Sequence, residues 1–188
     1  MSNPMANLIY AINLTLDGCC DHTRFRPDED DFEYHTHLLQ SVDTLVFGRK
    51  TYQLMVPYWP DVLKDSSATE ADIEFARAFK STRKIVYSRT LDSVEDDKTQ
   101  IVRGELRDEI LKLKQQGTGN ILVGGVDLPS QLIELGLVDE YRFVVAPFLA
   151  GAGRRLFNGV NLPEKHNLKL VESKVFESGS VLLRYLKP

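Results

Sequence analysis

Two adjacent glycines, Gly124 and Gly125, follow the apolar run Ile121-Leu122-Val123 and precede Val126-Asp127-Leu128, where a helical pattern begins. A strand that ends in two residues without side chains at the start of a helix lets a ligand approach the backbone. The free N–H groups there attract an anion such as a diphosphate. The same pair also serves as a tight turn. Two further strand ends carry groups suited to the same ligand. Thr44-Leu45-Val46-Phe47 runs into Gly48-Arg49-Lys50-Thr51, and Lys84-Ile85-Val86-Tyr87 runs into Ser88-Arg89-Thr90. Ligands gather at the carboxyl ends of strands in an open α/β sheet, so these three ends predict one crevice of glycine backbone, hydroxyls and guanidinium groups.

The elements that must position these groups follow from periodicity. Leu8 to Leu14 reads as a buried first strand, followed by the loop Thr15-Leu16-Asp17-Gly18. The acidic start Asp28 to Asp31 opens a helix to about Gln40, since carboxylates favour a helix N-terminus. After Gly48 a short helix carries Tyr52 and Met55 and is expected to end at Pro57-Tyr58-Trp59-Pro60, because proline lacks the N–H that continues a helix. Ser67 and Glu70 have the spacing of a capping box before a helix containing Ile73, Ala76 and Phe79. A short strand at Gln100 to Val102 leads to a helix that places Leu106, Ile110 and Leu113 on one face before Gly117. The helix after the double glycine puts Leu128, Leu132 and Leu135 on one stripe and stops at Gly136. Glu140 to Ala146 alternates as a strand, and Leu168 to Phe176 with Val181 to Leu186 reads as an antiparallel hairpin. The fold class expected is therefore one α/β domain: a mixed, mostly parallel sheet, helices on both faces, and a C-terminal hairpin, preceded by a loose tail over Met1 to Pro4.

Composition narrows the function classes. Twenty-three basic against twenty-seven acidic residues leave a net charge of −4 with no Lys/Arg block, which disfavours nucleic acid as a partner. No apolar run is long enough to cross a bilayer and the N-terminus lacks the pattern of a secretory leader, so a cytoplasmic location without membrane association is expected. The two cysteines, Cys19 and Cys20, are adjacent and offer neither spaced metal ligands nor a disulfide framework. They are expected as reduced thiols, a strained vicinal disulfide being the alternative. His35 and His37 lie two apart on the first helix and point to different sides, so no metal site is expected.

The ordered set of Thr15-Leu16-Asp17-Gly18, Phe47-Gly48-Arg49-Lys50-Thr51-Tyr52, Ser88-Arg89-Thr90-Leu91, Gly124-Gly125, and Leu137-Val138-Asp139-Glu140 leading to Pro147-Phe148-Leu149-Ala150-Gly151-Ala152-Gly153 resembles the dihydrofolate-reductase-like superfamily. The likeness is strongest to stand-alone relatives of the reductase domain in the bifunctional riboflavin-pathway deaminase-reductase. It implies an NADPH-dependent reductase that binds its cofactor extended across the sheet. Gly124, Gly125 and Val126 would meet the diphosphate with Leu128 beside them. Arg49, Lys50 and Thr51 on one side and Ser88, Arg89 and Thr90 on the other would surround the adenosine end. Ala11, Gly18 and Gly48 complete the implied cofactor contacts. Guanidinium forks match the oxygens of a 2′-phosphate, which favours NADPH over NADH. Singly, Thr51 also reads as a helix cap, Ser88 as a turn former and the two arginines as solvated surface charge.

The nicotinamide supplies the hydride, so the protein need add only orientation, a closed site and a proton source. The first helix offers Asp28, Glu29, Asp30, Asp31 and Glu33, a set equally explained by the helix dipole. Asp17 is the single catalytic candidate, with a turn-forming aspartate as its plainer role. Met55-Val56-Pro57-Tyr58-Trp59-Pro60 replaces the acidic motif of the riboflavin-pathway reductases, and Tyr58 and Trp59 are suited to wall a flat ring. Asp127 would repel a diphosphate unless it turns to cap its helix. The substrate expected is a small planar heterocycle of pteridine or pyrimidine type. The rival reading is a non-catalytic nucleotide-binding protein that keeps the crevice. A homodimer is expected from the resemblance and from Tyr141, Phe143, Phe148, Phe176 and Tyr185, which strand alternation cannot all direct under one helix layer.

Overall fold

The computed structural model describes residues 5–24, 27–117, 119–161 and 165–188; the expected N-terminal tail, Met1 to Pro4, lies outside them. The chain runs β1 (Leu8–Thr15), α1 (Glu29–Gln40), β2 (Val42–Gly48), α2 (Arg49–Val62), α3 (Glu70–Ser81), β3 (Arg83–Tyr87), β4 (Thr99–Val102), α4 (Leu106–Gln116), β5 (Asn120–Val123), α5 (Asp127–Glu134), β6 (Glu140–Ala146), β7 (Lys169–Val175) and β8 (Val181–Leu186). The strands form one sheet in the order β4-β3-β2-β5-β1-β6-β8-β7. Pairing is parallel from β4 through β6 and antiparallel in the closing β6-β8-β7 part.

Strand alternation divides the core into two layers. Leu8, Tyr10, Val46, Ile85, Ile121 and Val123 pack with Leu106 and Ile110 of α4 and Leu128, Leu132 and Ile133 of α5. On the other face Ile9, Leu45, Phe47, Val86 and Leu122 pack with Leu38 and Leu39 of α1, Tyr52 and Val56 of α2, and Phe75 and Phe79 of α3. The three strand ends singled out in the sequence belong to β3, β2 and β5, which are consecutive in the sheet. No helix among the described residues is long and apolar enough to cross a membrane.

Several local expectations are corrected. The helix after Gly48 does not stop at Pro57; α2 contains both Pro57 and Pro60 and reaches Val62. Pro57 is on the exposed side, while Tyr52, Val56 and Val62 are buried. Packing of that stripe outweighs the backbone bonds that the prolines cannot make. The capping box of α3 uses Thr69 and Asp72 in place of Ser67 and Glu70: Asp72 N donates to Thr69 Oγ1 at 3.2 Å and Thr69 N to Asp72 Oδ2 at 3.1 Å. Ser67 instead donates to Asp65 in a turn. Leu135 ends α5 as an exposed cap residue, and Ile133 takes its place in the core. Of the aromatic residues expected to seek a second face, Tyr141 and Phe176 are buried within the chain; Phe143 and Tyr185 are half-buried and Phe148 is exposed.

Candidate functional site

Two cavities open at the carboxyl ends of the parallel strands. The outer one, about 860 Å³, is lined by Gly48, Arg49, Lys50 and Thr51 at the start of α2, by Gly124 to Leu128 at the start of α5, and by Tyr87, Cys20 and Arg154 among others. The inner one, about 590 Å³, lies under α1, α2 and α3 and is walled by Phe32, Leu45, Phe47, Trp59 and Phe75, with Ala11, Asn13 and His35. Asn13, His22, Pro27, Met55, Gly124 and Gly125 line both, so the two spaces adjoin along the end of β1 and the glycine turn.

The outer cleft arises because β2 and β5 are neighbours and each is followed at once by a helix. Two helix N-termini therefore face one space, each with unpaired backbone N–H groups and partial positive charge. Gly125 has φ +89°, and a Cβ added there would collide with Thr51 Oγ1. The glycine turn and the α2 N-terminus thus touch only because that side chain is missing. Tyr10 fixes the turn from below, its hydroxyl donating to Gly125 O at 3.1 Å. Burial pushes the Tyr10 phenol well above its ordinary pKa, which keeps it a donor. A Cβ at Gly124 would meet only ordinary contact with Leu45, so that position is open toward the cleft.

Asp127 does not cap α5, whose first turn has no side-chain cap. It pairs with Arg154 and, at 3.6 Å, with Lys50. The Arg154 hydrogen bond, with the nearby positive charges, holds its carboxyl below the usual range. The repulsion expected at the diphosphate position is thereby offset by two cations on the rim.

Arg154 was not singled out in the sequence; the only signal was two arginines after the glycine-rich run Gly151-Ala152-Gly153. It reaches the cleft because the loop after β6 folds back on the turn after β1. Cys20 N donates to Arg154 O at 2.8 Å, Leu156 N to Gly18 O at 2.9 Å and Leu16 N to Phe148 O at 3.0 Å. Asp17 ties that junction: its carboxylate accepts from Ala150 N at 3.1 Å, Gly151 N at 3.0 Å, Thr15 Oγ1 and Arg155. The Thr15 hydroxyl, followed by the Ala150 amide, lowers its pKa well below the carboxylate range. Asp17 lies outside the lining of both cavities, as does Gly18, whose φ of +75° forms the turn.

Of the other expected contacts, Arg49, Lys50, Thr51, Gly124, Gly125, Val126 and Leu128 come together in the outer cleft, and Ala11 faces the inner cavity. Ser88, Arg89 and Thr90 do not line it. Ser88 is buried, with its hydroxyl accepting from Thr90 N and Leu91 N, and Arg89 sits on the surface 3.6 Å from Glu105. Both thiols are free; Cys19 is buried and Cys20 half-buried, and burial raises the Cys20 pKa.

None of the acids Asp28, Glu29, Asp30, Asp31 and Glu33 lines either cavity. From α1 the inner cavity takes Phe32, His35 and Leu39, about one turn apart. His35 Nε2 lies 2.6 Å from Asn13 Oδ1, and burial pulls the imidazole down to a pKa of about 4, so it is neutral at physiological pH. Asn13 carries no signal in the sequence, and His35 reads there only as one of two histidines that cannot chelate; the two are 22 residues apart and meet only through packing.

Comparison with known proteins agrees with this architecture. The chain is 30% identical over 183 residues to the uncharacterized protein YyaP of Bacillus subtilis, covering 95% of this chain and 93% of that one. A solved structure from Shewanella sp. PV-4 superposes with a TM-score of 0.73 at 23% identity, covering 98% and 99% of the two chains. Dihydrofolate reductase from Enterococcus faecalis, complexed with NADP(H), superposes with a TM-score of 0.64 at 15% identity over 96% of each chain. The profile of the RibD C-terminal domain matches residues 6–182, and the chain belongs to that family.

Proposed function

We propose that this protein is an NADPH-dependent reductase of a small planar heterocycle of pteridine or pyrimidine type. The observation that carries the reading is the convergence of two helix N-termini on one cleft, closed at Gly125 against Thr51 and adjoining an aromatic cavity. The residues present fit the cofactor. The backbone of Gly124, Gly125 and Val126 would hold the diphosphate, with Arg154 and Lys50 turning to it from Asp127. Arg49 would meet the 2′-phosphate from the rim, with Arg89 farther out beyond the β3 end. When bound, the nicotinamide supplies a hydride. The chain's own part is to orient the two rings where the cavities adjoin and to exclude water with Phe32, Trp59 and Phe75. Asp17 serves this reading by holding the loop that delivers Arg154, since a carboxylate occupied by four donors is a poor proton source.

Thermal unfolding tests the cofactor assignment. NADPH should raise the melting temperature more than NADH at equal concentration; equal shifts would overturn the preference. One observation favours a second reading, a nucleotide-binding protein without turnover: neither cavity receives an α1 acid or Asp17. NADPH that binds but is never consumed with any oxidised pterin or pyrimidine would select it.

We also propose a homodimer. Phe143 and Tyr185 on β6 and β8 group with exposed Phe157, and the edge strand β7 leaves Leu170, Val171 and Val175 exposed. A two-fold partner would cover this surface. Light scattering giving the mass of one 21.3 kDa chain at micromolar concentration would reject it.

A further inference from the structure

The inner cavity is apolar except at a few points. Trp59 and Phe75 lie 4.4 Å apart by ring centroid, and Phe32 stands 6.0 Å from each, so three rings make a continuous wall. Asp72 reaches this cavity, but its carboxylate is occupied by Thr69 in the α3 cap. His22 is on an exposed loop at the rim. The remaining polar side-chain groups of its lining are the Tyr58 hydroxyl and the Trp59 indole N–H on the aromatic wall, Asn13, on β1 where the two cavities adjoin, and His35.

A side-chain amide has two ends that recognise opposite partners: Oδ1 accepts and Nδ2 donates. Which end faces a ligand is decided by what holds the other. Here Asn13 Oδ1 is the atom 2.6 Å from His35 Nε2, an arrangement that pairs with the Nε2–H tautomer of the imidazole, donating to the amide oxygen. Burial keeps the ring neutral, so it has a single N–H to give, and that N–H is spent on Asn13. Nδ2 makes no hydrogen bond to a described residue and is left for the cavity.

We propose that Asn13 is a recognition residue whose Nδ2 donates to a carbonyl oxygen of the ring bound in the inner cavity, and that His35 is a positioning residue that fixes the amide in this sense. The inference deepens the reductase reading by assigning a polarity to its substrate: an oxo-substituted neutral ring is accepted, and the corresponding amino-substituted ring, which presents N–H toward N–H, is rejected. A buried donor facing a donor forfeits its hydrogen bond and its hydration together, so discrimination of about tenfold or more is expected.

The test is calorimetric titration of the full chain, with and without saturating NADPH, at about pH 7. The probes are 6-methylpterin, which has an oxo group at C4, and 2,4-diamino-6-methylpteridine, which has an amino group there. The native protein should bind the oxo ring about tenfold more tightly. Asn13→Asp, which replaces the donor by an acceptor, should reverse the order. His35→Leu should reduce the preference to within about threefold by freeing the amide to flip. Nitrogen-15 NMR of the ligand-free protein should find the His35 proton on Nε2. Equal or tighter binding of the amino ring, no binding of either ring, an unreversed Asn13→Asp protein, or a proton on Nδ1 would each overturn the inference. Failure of NADPH to bind would overturn the reductase reading instead, while the ring preference measured without NADPH would still decide this one.

Discussion

The outer cleft and the inner cavity share six lining residues yet are built by different means. The outer cleft is backbone and charge: two helix N-termini, a glycine turn and cations on exposed stems. The inner cavity is side chains: three aromatic rings and a neutral Asn13–His35 pair, contributed by β1 and three helices. A site made of backbone depends on a few local residues, and changing one Cβ can close it. A site made of packed side chains belongs to the core, so changing it should cost stability before it costs charge recognition.

The largest effect expected from this contrast is on stability. Phe75→Ala removes a buried ring that contacts Trp59, Phe32 and Phe79 and should destabilise the fold by about 4 kcal/mol, while the NADPH dissociation constant stays within about twofold. Urea unfolding and calorimetry read the two quantities separately, and a large affinity change would merge the two regions.

The pH dependence is next. An unfolded histidine takes a proton near pH 6.5, whereas His35 in the fold resists protonation down to about pH 4. Below about pH 6.5 the unfolded chain binds a proton that the folded chain does not, so stability falls as the pH is lowered from 6.5 to about 4. The loss reaches about 3 kcal/mol. His35→Gln should flatten that limb of the stability curve; a curve parallel to the native one would show that His35 is accessible to protons.

In the outer cleft Gly125→Ala should weaken NADPH about 100-fold in a folded protein. The added Cβ displaces Thr51 and strains a left-handed φ, which removes about two backbone donors of roughly 1.5 kcal/mol each. Trp59 emission, which reports the inner cavity, should be unchanged. Arg49→Ala should cost about tenfold in NADPH affinity and much less in NADH affinity, as one charge-assisted phosphate contact predicts. An equal loss for both would place Arg49 on the diphosphate. The smallest effect is Asp127→Asn, which frees Arg154 and Lys50 from an exposed carboxylate and should tighten NADPH about threefold. Weaker binding would mean that the ion pair holds the cleft in shape.

The same contrast governs what was legible in the chain. Gly48-Arg49-Lys50-Thr51 and Gly124-Gly125 were readable because a strand, a glycine and a helix start are contiguous, and the physics of anion binding acts over those few residues. The sheet was readable for a like reason: period-2 and period-3.6 patterns are local. Ser88 and Arg89 show the limit. Their residue types suit a phosphate, but the Ser88 hydroxyl serves its own turn, the local role its type also allows, and Arg89 faces Glu105, a partner brought near only when β3 and β4 pair. Asp17 likewise has the type of an acid and the surroundings of a structural anchor, because the loop after β6 folds onto it.

By itself the sequence determined the alternation of strands and helices, the mixed sheet with its closing hairpin, and the two backbone segments of the outer cleft, since each is set by residues near one another in the chain. Only the tertiary structure decided that α2 runs through Pro57 and Pro60, that Arg154 reaches Asp127, and that Asn13 meets His35 beside three aromatic rings. Those outcomes depend on burial and on partners far away in the chain. Neither enters the energy of a local segment until the sheet has brought its strands together.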